Sequence, residues 1–495
     1  MSTNIKIILG LSILVLSLSS CSDFLKEVSQ DEIKPSNVDD LRALMNKDAY
    51  PYGISTDYYL EILSDNTVCN GLQNQDYVGY LQNGTAIFCW NKEMFDGNEA
   101  FPTDADSWLT YYNRIKGCNV VKDYLGKVAG SETDKNALLG QVLFLRAFYY
   151  LRLVMIYGQP YSGKGIDPTK SLGVPLILKM DVSDQYPARN TLKEVYDQIE
   201  SDLLQSADLM EKYYTPTSVF RVGATSVYAL LSRFYLYRGL DSDMDKVITY
   251  TTKVMSQGPA LTNLYTFKSS FGTKGIYDTS VSNEMLWIFG SPTYTNGTYF
   301  SNVSSGGNIM PFTVSNELMN MYDQTNDLRY ISYYYKQKDS KTGLTYSLTS
   351  GKIGMAQSNY GDHGIRMAEV YLNQAEALAR QFQASGDDSK RVAALNDLNT
   401  LRASRYAQGT YKNVSFTDAA SLLQFCYDER RRELCFEDGF RWFDIKRLGL
   451  SAKHVYIDTS GTPTEFTLNS WDLLYALPIP QTAIDKNYKL EQNPR

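Results

Sequence analysis

The sequence predicts an all-α protein in which antiparallel helix pairs form a superhelical scaffold, interrupted by a loop-rich insert with short strands. Three observations predict it. Apolar residues recur at helical spacing in a series of segments that carry start and stop signals. Several of these segments are joined by short links, which makes successive helices antiparallel neighbours. Two long stretches, about residues 50–101 and 259–361, lack that periodicity and are rich in Tyr, Ser, Thr, Asn and Gly.

The helices follow in order. Residues 131–158 open on Ser131 and Asp134 in an S-x-x-D start, continue apolar through Phe144 and Met155, and stop at Gly158 and Pro160. Apolar residues on nearly every face predict a central helix. Residues 191–214 open on a T-x-x-E capping box, Thr191 and Glu194, and place Leu192, Val195, Ile199, Leu203 and Met210 on one stripe, which predicts a peripheral amphipathic helix. Further helices are predicted over 224–238, ending at Gly239, over 243–257, ending at Gly258, and over 365–384, ending at Gly386. A helix over 388–405 comes next, and a last one over 418–437 ends at Gly439. Such pairs are the unit of a tetratricopeptide-like solenoid, here without a strict repeat period. Inside the insert, Met285–Phe289 reads as a short strand.

At 495 residues the chain is long enough for a large core. Its 48 basic and 55 acidic residues sum to −7, which offers a polyphosphate no net attraction and excludes nucleic acid as the expected partner. The chain carries 39 Tyr and 5 Trp against 2 His, a balance that favours adhesive contact surfaces over imidazole chemistry. His363 and His454 are isolated and read as structural or solvent-exposed. No phosphate-binding glycine loop, G-x-S-x-G elbow, C-x-x-C pair or H-E-x-x-H occurs, so no catalytic residue, cofactor or metal is assigned.

The N-terminus sets the expected compartment. Lys6 is followed by the apolar run Ile7–Leu18, which suits a signal-peptide core and falls short of the roughly 20 residues a bilayer span needs. Leu18-Ser19-Ser20-Cys21 resembles a bacterial lipobox, with Cys21 as the lipidated residue. The expected organisation is a signal peptide over 1–20, a lipidated tether over 21–37 and a body over 38–495. Asp23 departs from the simplest sorting pattern, because an acidic residue at that place retains some lipoproteins at the inner membrane. Five further cysteines remain, Cys69, Cys89, Cys118, Cys426 and Cys435, and an odd number cannot all pair within one chain. Cys426 and Cys435 lie nine residues apart on a predicted helix, on opposite faces, and cannot bridge each other.

The segment from Asp428 to Arg447 interleaves six basic and six acidic side chains with Phe436, Trp442 and Phe443. A nucleic-acid stripe would not cancel its own charge. The expected role is a half-buried clamp of ion pairs and cation–π contacts joining the last helix to the C-terminal segment.

Six segments carry a resemblance to a known family. They are C-S-D-F-L from Cys21, R-A-F-Y-Y-L-R-L-V-M-I-Y-G-Q-P from Arg146 and R-N-T-L-K-E-V-Y-D-Q-I-E-S-D-L from Arg189. Then come R-M-A-E-V-Y-L-N-Q-A-E-A-L from Arg366, E-R-R-R-E-L-C-F-E-D-G-F-R-W-F-D-I-K-R-L-G from Glu429 and L-P-I-P-Q from Leu477. In this order the chain resembles the SusD/RagB family of outer-membrane nutrient-binding lipoproteins of Bacteroidetes. The chain stops at Gln492-Asn493-Pro494-Arg495, where many members continue past the proline.

The resemblance implies a lipid-anchored, surface-exposed, non-enzymatic protein that binds oligosaccharide and passes it to a partner TonB-dependent transporter of the SusC type. Peptide binding, as in some members, is the alternative; a glycoside hydrolase and a protein-only scaffold are more distant ones. The motifs belong to the scaffold and carry no ligand residue over. A sugar presents apolar C–H faces and a rim of hydroxyls, so its site needs flat aromatic rings beside amides or carboxylates. In the first stretch Tyr77, Tyr80 and Trp90 lie near Asn74, Asp76 and Asn83; in the second Tyr294, Tyr299 and Phe300 lie near Asn296 and Asn302. The ligand site is expected where the two stretches meet. Trp90 follows Ile87 and Phe88, which also suits a core position, and Trp108 and Trp287 are expected in the core.

Overall fold

The computed structural model describes residues 34–52, 57–70, 78–96, 106–180, 186–267, 274–290, 311–338, 345–348, 352, 361 and 363–495. The elements run, in order, α1 Val38–Leu44, α2 Tyr59–Ile62, β1 Thr67–Cys69, α3 Val78–Phe88, α4 Ser107–Tyr124, α5 Glu132–Tyr157, α6 Leu192–Tyr213, α7 Ala224–Arg238 and α8 Met244–Gln257. The insert follows as β2 Met285–Phe289, β3 Phe312–Val314, α9 Asn316–Asn320, α10 Arg329–Ser332, β4 Tyr335–Lys338, β5 Thr345–Leu348 and β6 His363–Arg366. The chain closes with α11 Met367–Ser385, α12 Asp388–Ala403, α13 Ala419–Leu434, α14 Phe440–Leu448, β7 Ala452–Ile457, β8 Pro463–Leu468 and α15 Gln481–Lys486. The architecture is the expected helical one, with short strands only.

The predicted caps are made. The Ser131 hydroxyl accepts from the amide of Asp134 at 3.1 Å, and Thr191 and Glu194 satisfy each other's amides at 2.8 and 3.2 Å. Gly239 and Gly386 end α7 and α11 in the left-handed conformation, at φ 77° and 71°. Helix α5 is central: it packs against α4 and α6 and is buried along most of its length. Its length and composition would suit a membrane span, yet 94% of its apolar window is buried inside the protein. Helix α6 buries the predicted stripe Leu192, Val195, Ile199, Leu203 and Met210. The pairs α4/α5, α5/α6, α7/α8 and α11/α12 form the scaffold, and α11 joins the last two by packing on α8.

One helix ends early. Cys435 leaves the helical region, Phe436 and Asp438 take φ of 55° and 49°, and Gly439, at φ 68°, starts α14 instead of merely stopping α13. The break turns Glu437 back toward Arg366, whose Nε and Nη2 donate to it at 2.9 and 2.7 Å. Cys426, Cys435 and Cys118 are buried free thiols, and Cys69 is buried as well.

The charged segment is also buried more deeply than its composition suggests. The expectation of a half-buried clamp to the C-terminal segment is corrected: Glu429 and Glu433 are fully buried and hold the insert to the helices. Arg329 of α10 donates to Glu429 at 2.7 Å and Glu433 at 2.9 Å, Arg366 of β6 to Glu433 at 2.6 Å, and Arg405 to Glu433 and Glu284 at 3.0 Å. Burial works against the Glu433 charge, but Arg405, Arg366 and Arg329 outweigh it and hold the carboxyl well below the ordinary carboxylate range. Charges with this many matched partners tolerate a dry interior. The expected link toward the C-terminal side exists too, as the ion pair of Arg430 with Asp444 at 3.3 Å and the stacking of Arg430 over Phe440 at 5.3 Å.

Candidate ligand-binding site

The two long stretches meet. Strand β1 pairs antiparallel with β3, Thr67 opposite Val314 and Cys69 opposite Phe312, and the β-branched residues of both strands suit that short ladder. Just beyond it the amide of Asn70 donates to the carbonyl of Pro311 at 2.7 Å, and the Asn70 side chain donates to the Thr313 hydroxyl at 2.7 Å. The amide of Ser315 closes the other end on the carbonyl of Asn66 at 2.7 Å. A second junction joins the same stretches where the amide of Gly290 donates to the carbonyl of Pro51 at 3.2 Å.

Helix α3 covers this ladder. Gly84 faces Phe312 so closely that a Cβ there would lie 2.2 Å from the ring, so the glycine is what lets helix and strand approach. Phe88 adds a ring contact to Phe312 at 5.2 Å. Opposite, the hairpin β7–β8 pairs Ala452 with Leu468 through Ile457 with Pro463. The Tyr456 hydroxyl lies 3.2 Å from Thr85 of α3, and the Cys69 thiol donates to the Ile457 carbonyl.

Of the expected site residues, Asn74, Asp76, Tyr77, Tyr294, Asn296, Tyr299, Phe300 and Asn302 lie outside the described residues, as does Cys21. The segments that carry them, 71–77 and 291–310, begin or end at Asn70 and Pro311, which are bonded to each other. Tyr80 and Asn83 fall on α3.

Trp90 is corrected from ligand residue to core residue. It is 5% exposed, its Nε1–H donates to the Leu63 carbonyl at 3.1 Å, and its ring stacks on His454 at 4.1 Å. A ring so enclosed has no free face for a sugar. Its φ of 50° turns the chain inward at the end of α3, and Ile87 and Phe88 mark the same apolar neighbourhood. Trp287 and Trp108 are in the core as expected.

Sequence reasoning missed two features. Strand β7 buries Ala452 and His454 and exposes Lys453 and Val455, an alternation its residue types do not show, because the polar His454 faces in and the apolar Val455 faces out. A cavity of about 200 Å³ lies between the start of α4 and α15, lined by Trp108, Tyr112, Ile177 and Leu490, with Asp106 and Lys486 among its polar groups. It unites segments far apart in the chain, and no local pattern announces it. Among the described residues no group of three or more His, Cys, Asp or Glu side chains is placed to hold a metal ion.

The geometry above is that of a helical scaffold on which the described parts of the two long stretches pair through β1 and β3. Two family profiles match the chain: one described as starch-binding and associating with the outer membrane, over residues 23–236, and that of the SusD family, over residues 319–495. The chain belongs to the SusD/RagB family. A SusD-like protein, P2, of Formosa agariphila is 24% identical over 446 residues, 78% of this chain and 79% of that protein. Solved SusD-type structures share the fold. One, a SusD superfamily protein of Bacteroides vulgatus, superposes with a TM-score of 0.69 at 20% identity, covering 93% of this chain and 99% of that one. A SusD superfamily protein of Bacteroides thetaiotaomicron superposes at 0.63 with 21% identity, covering 93% of this chain and all of that one.

In this SusD-family chain the motif residues are each other's partners. Arg146 of the second segment makes bidentate bonds to Asp202 of the third, both at 2.8 Å. Arg366 of the fourth meets Glu433 and Glu437 of the fifth. Leu477 of the sixth donates its amide to Ile156 at 3.0 Å, and Asn493 donates to Tyr157 at 2.8 Å, so the C-terminal segment closes the end of α5.

Proposed function

We propose that this protein is a surface-exposed, lipid-anchored glycan-binding protein of the outer membrane, which captures oligosaccharide and delivers it to a partner TonB-dependent transporter. The observation that carries this reading is the meeting of the two aromatic- and amide-rich stretches at Asn70 and Pro311, on a scaffold of the SusD family. Tyr77, Tyr80, Asp76, Tyr294, Tyr299 and Asn296 are the residues we assign to the ligand. They combine rigid rings with hydrogen-bonding side chains, the pairing a sugar needs. The charged motif residues Arg146 with Asp202, and Arg366 with Glu433 and Glu437, are committed to one another as scaffold. We assign Cys21 as the lipidated residue and residues 21–37 as the tether, which ends at Asn37, the N-cap of α1.

Binding of the purified protein to a panel of polysaccharides tests the ligand class, and recovery of a TonB-dependent transporter with it from membranes in mild detergent tests delivery. Binding of no glycan together with capture of peptides would move the reading to the peptide-binding alternative. Turnover of a bound oligosaccharide would make the protein an enzyme.

A further inference from the structure

The turn between α13 and α14 carries a buried carboxyl group that receives no hydrogen bond from the protein. Asp438 is 5% exposed, and neither of its carboxyl oxygens has a partner. Buried polar atoms in that condition are rare in a folded chain and call for an account. The main chain of the same residue is well held: it takes φ of 49° ahead of Gly439 at 68°, and its carbonyl accepts from Nη1 of Arg152 at 2.6 Å. Beside the carboxyl lies a cavity of about 10 Å³, walled by the rings of Phe148 and Phe289 and by Tyr111, Arg152 and His363.

We propose that this cavity is a binding site for a single water molecule, which bridges the Asp438 carboxyl to His363 and Arg152. The bridge joins the insert to the helical scaffold, because His363 pairs with Phe289 in the β2–β6 ladder while Arg152 belongs to α5 and Asp438 to the turn before α14. The site is internal to the fold and stands apart from the function proposed above.

Size, spacing and chemistry agree. About 10 Å³ is roughly the space one water needs, and it admits nothing larger. His363 Nε2 lies 3.9 Å from Asp438 Oδ1, too far for a direct hydrogen bond and within the span of two bonds through a shared water. Arg152 spends Nε and Nη2 on Asp57 and Nη1 on the Asp438 carbonyl, and its guanidinium has further N–H groups to donate. The Tyr111 hydroxyl donates to Asp57, so its oxygen can still accept. A water among these groups finds donors and acceptors together, the setting that holds buried water. Burial outweighs the neighbouring His363, Arg152 and Arg233 and raises the Asp438 carboxyl above the ordinary carboxylate range. Water serves that group in either state, because it donates to a carboxylate and accepts from a carboxylic acid. A metal ion fits poorly: cationic Arg152 stands in the wall, and among the described residues no group of three His, Cys, Asp or Glu side chains is placed around one. An anion would face both Asp438 and Asp57.

The test is a crystal structure of the intact chain at a resolution that shows ordered water, with Asp438→Asn and Asp438→Leu beside wild type. Expected in wild type is one water within hydrogen-bond distance of the Asp438 carboxyl and of His363 or Arg152. It should persist in Asp438→Asn, whose amide both donates and accepts, and be lost in Asp438→Leu, which offers it no polar atom and takes up its space. A wild-type cavity closed by a direct bond between His363 and Asp438 overturns the proposal, as does an occupant with the short oxygen distances of a metal ion. A water that stays in Asp438→Leu is not held by Asp438 and overturns the bridge. Should a variant not fold, the wild-type density decides alone.

Discussion

The amide of Asn70 and the carbonyl of Pro311 are hydrogen-bonded at 2.7 Å, across 241 positions of sequence. This bond sets Asn70, the residue before position 71, beside Pro311, the residue after position 310.

The closeness of α3 to β3 depends on Gly84. Gly84→Leu would drive a side chain into Phe312 and is expected to cost about 1–3 kcal/mol through overpacking. Urea unfolding of the variant measures it. A stability equal to wild type would show that the helix can move off the strand.

Trp90 and the loop tyrosines should behave differently. Trp90→Ala is expected to lose about 3–5 kcal/mol of stability, because it empties a core site and removes a face from His454. Tyr294→Ala and Tyr77→Ala are expected to leave melting unchanged and to lower affinity for the glycan found by the panel about five- to thirtyfold, or 1–2 kcal/mol. Calorimetric titration beside melting curves separates the two outcomes, and unchanged affinity in both tyrosine variants would relocate the site.

Breaking the buried charge cluster should be costly. Glu433→Gln leaves Arg329, Arg366 and Arg405 short of a shared anion and is expected to destabilise by about 3–5 kcal/mol. Acid should act on the same groups. Arginine neighbours hold Glu433, Glu429 and Glu437 below the ordinary carboxylate range despite burial, so their stabilisation is present above the unfolded value of about 4.3 and is lost as pH falls below it. Melting temperature should therefore hold from pH 7 to about 5 and fall steeply toward pH 3.

Glu61 should act in the opposite sense. Burial raises its carboxyl to about 7, although the Gly439 amide donates to it at 3.0 Å. Its charge therefore costs stability increasingly as pH rises from about 4.3 toward 7. Glu61→Gln should raise the melting temperature, relative to wild type, more at pH 8 than at pH 5. An equal difference at both would show that Glu61 ionises freely in the fold.

Lipid attachment is tested by Cys21→Ala. Removing the proposed acylation site should release the protein from membranes in cells lacking the proposed transporter, because the acyl chains would supply the membrane affinity. Fractionation reads it, and full retention with membranes would overturn the assignment of Cys21.

The scaffold was legible in the sequence because its signals are local. Capping pairs such as Thr191 with Glu194, stop glycines such as Gly239 and Gly386, and the stripe from Leu192 to Met210 act within a few residues, and the folded chain uses them where they stand. The resembling segments were legible for a different reason. Arg146 with Asp202, and Arg366 with Glu433 and Glu437, are mutually dependent pairs, so their residue types are constrained even though each lies far from its partner. What tertiary structure alone decided is which side chains face inward. Trp90 has the composition of a sugar-stacking residue, and only the arrival of β7, more than 360 residues later, covers it with His454. The run from Asp428 to Arg447 has the composition of a surface, and only the return of Arg329, Arg366 and Arg405 from other elements lets its glutamates be buried. Burial depends on what packs from elsewhere in the chain, and desolvation then sets the charge and role of each group. That information resides in the assembled fold.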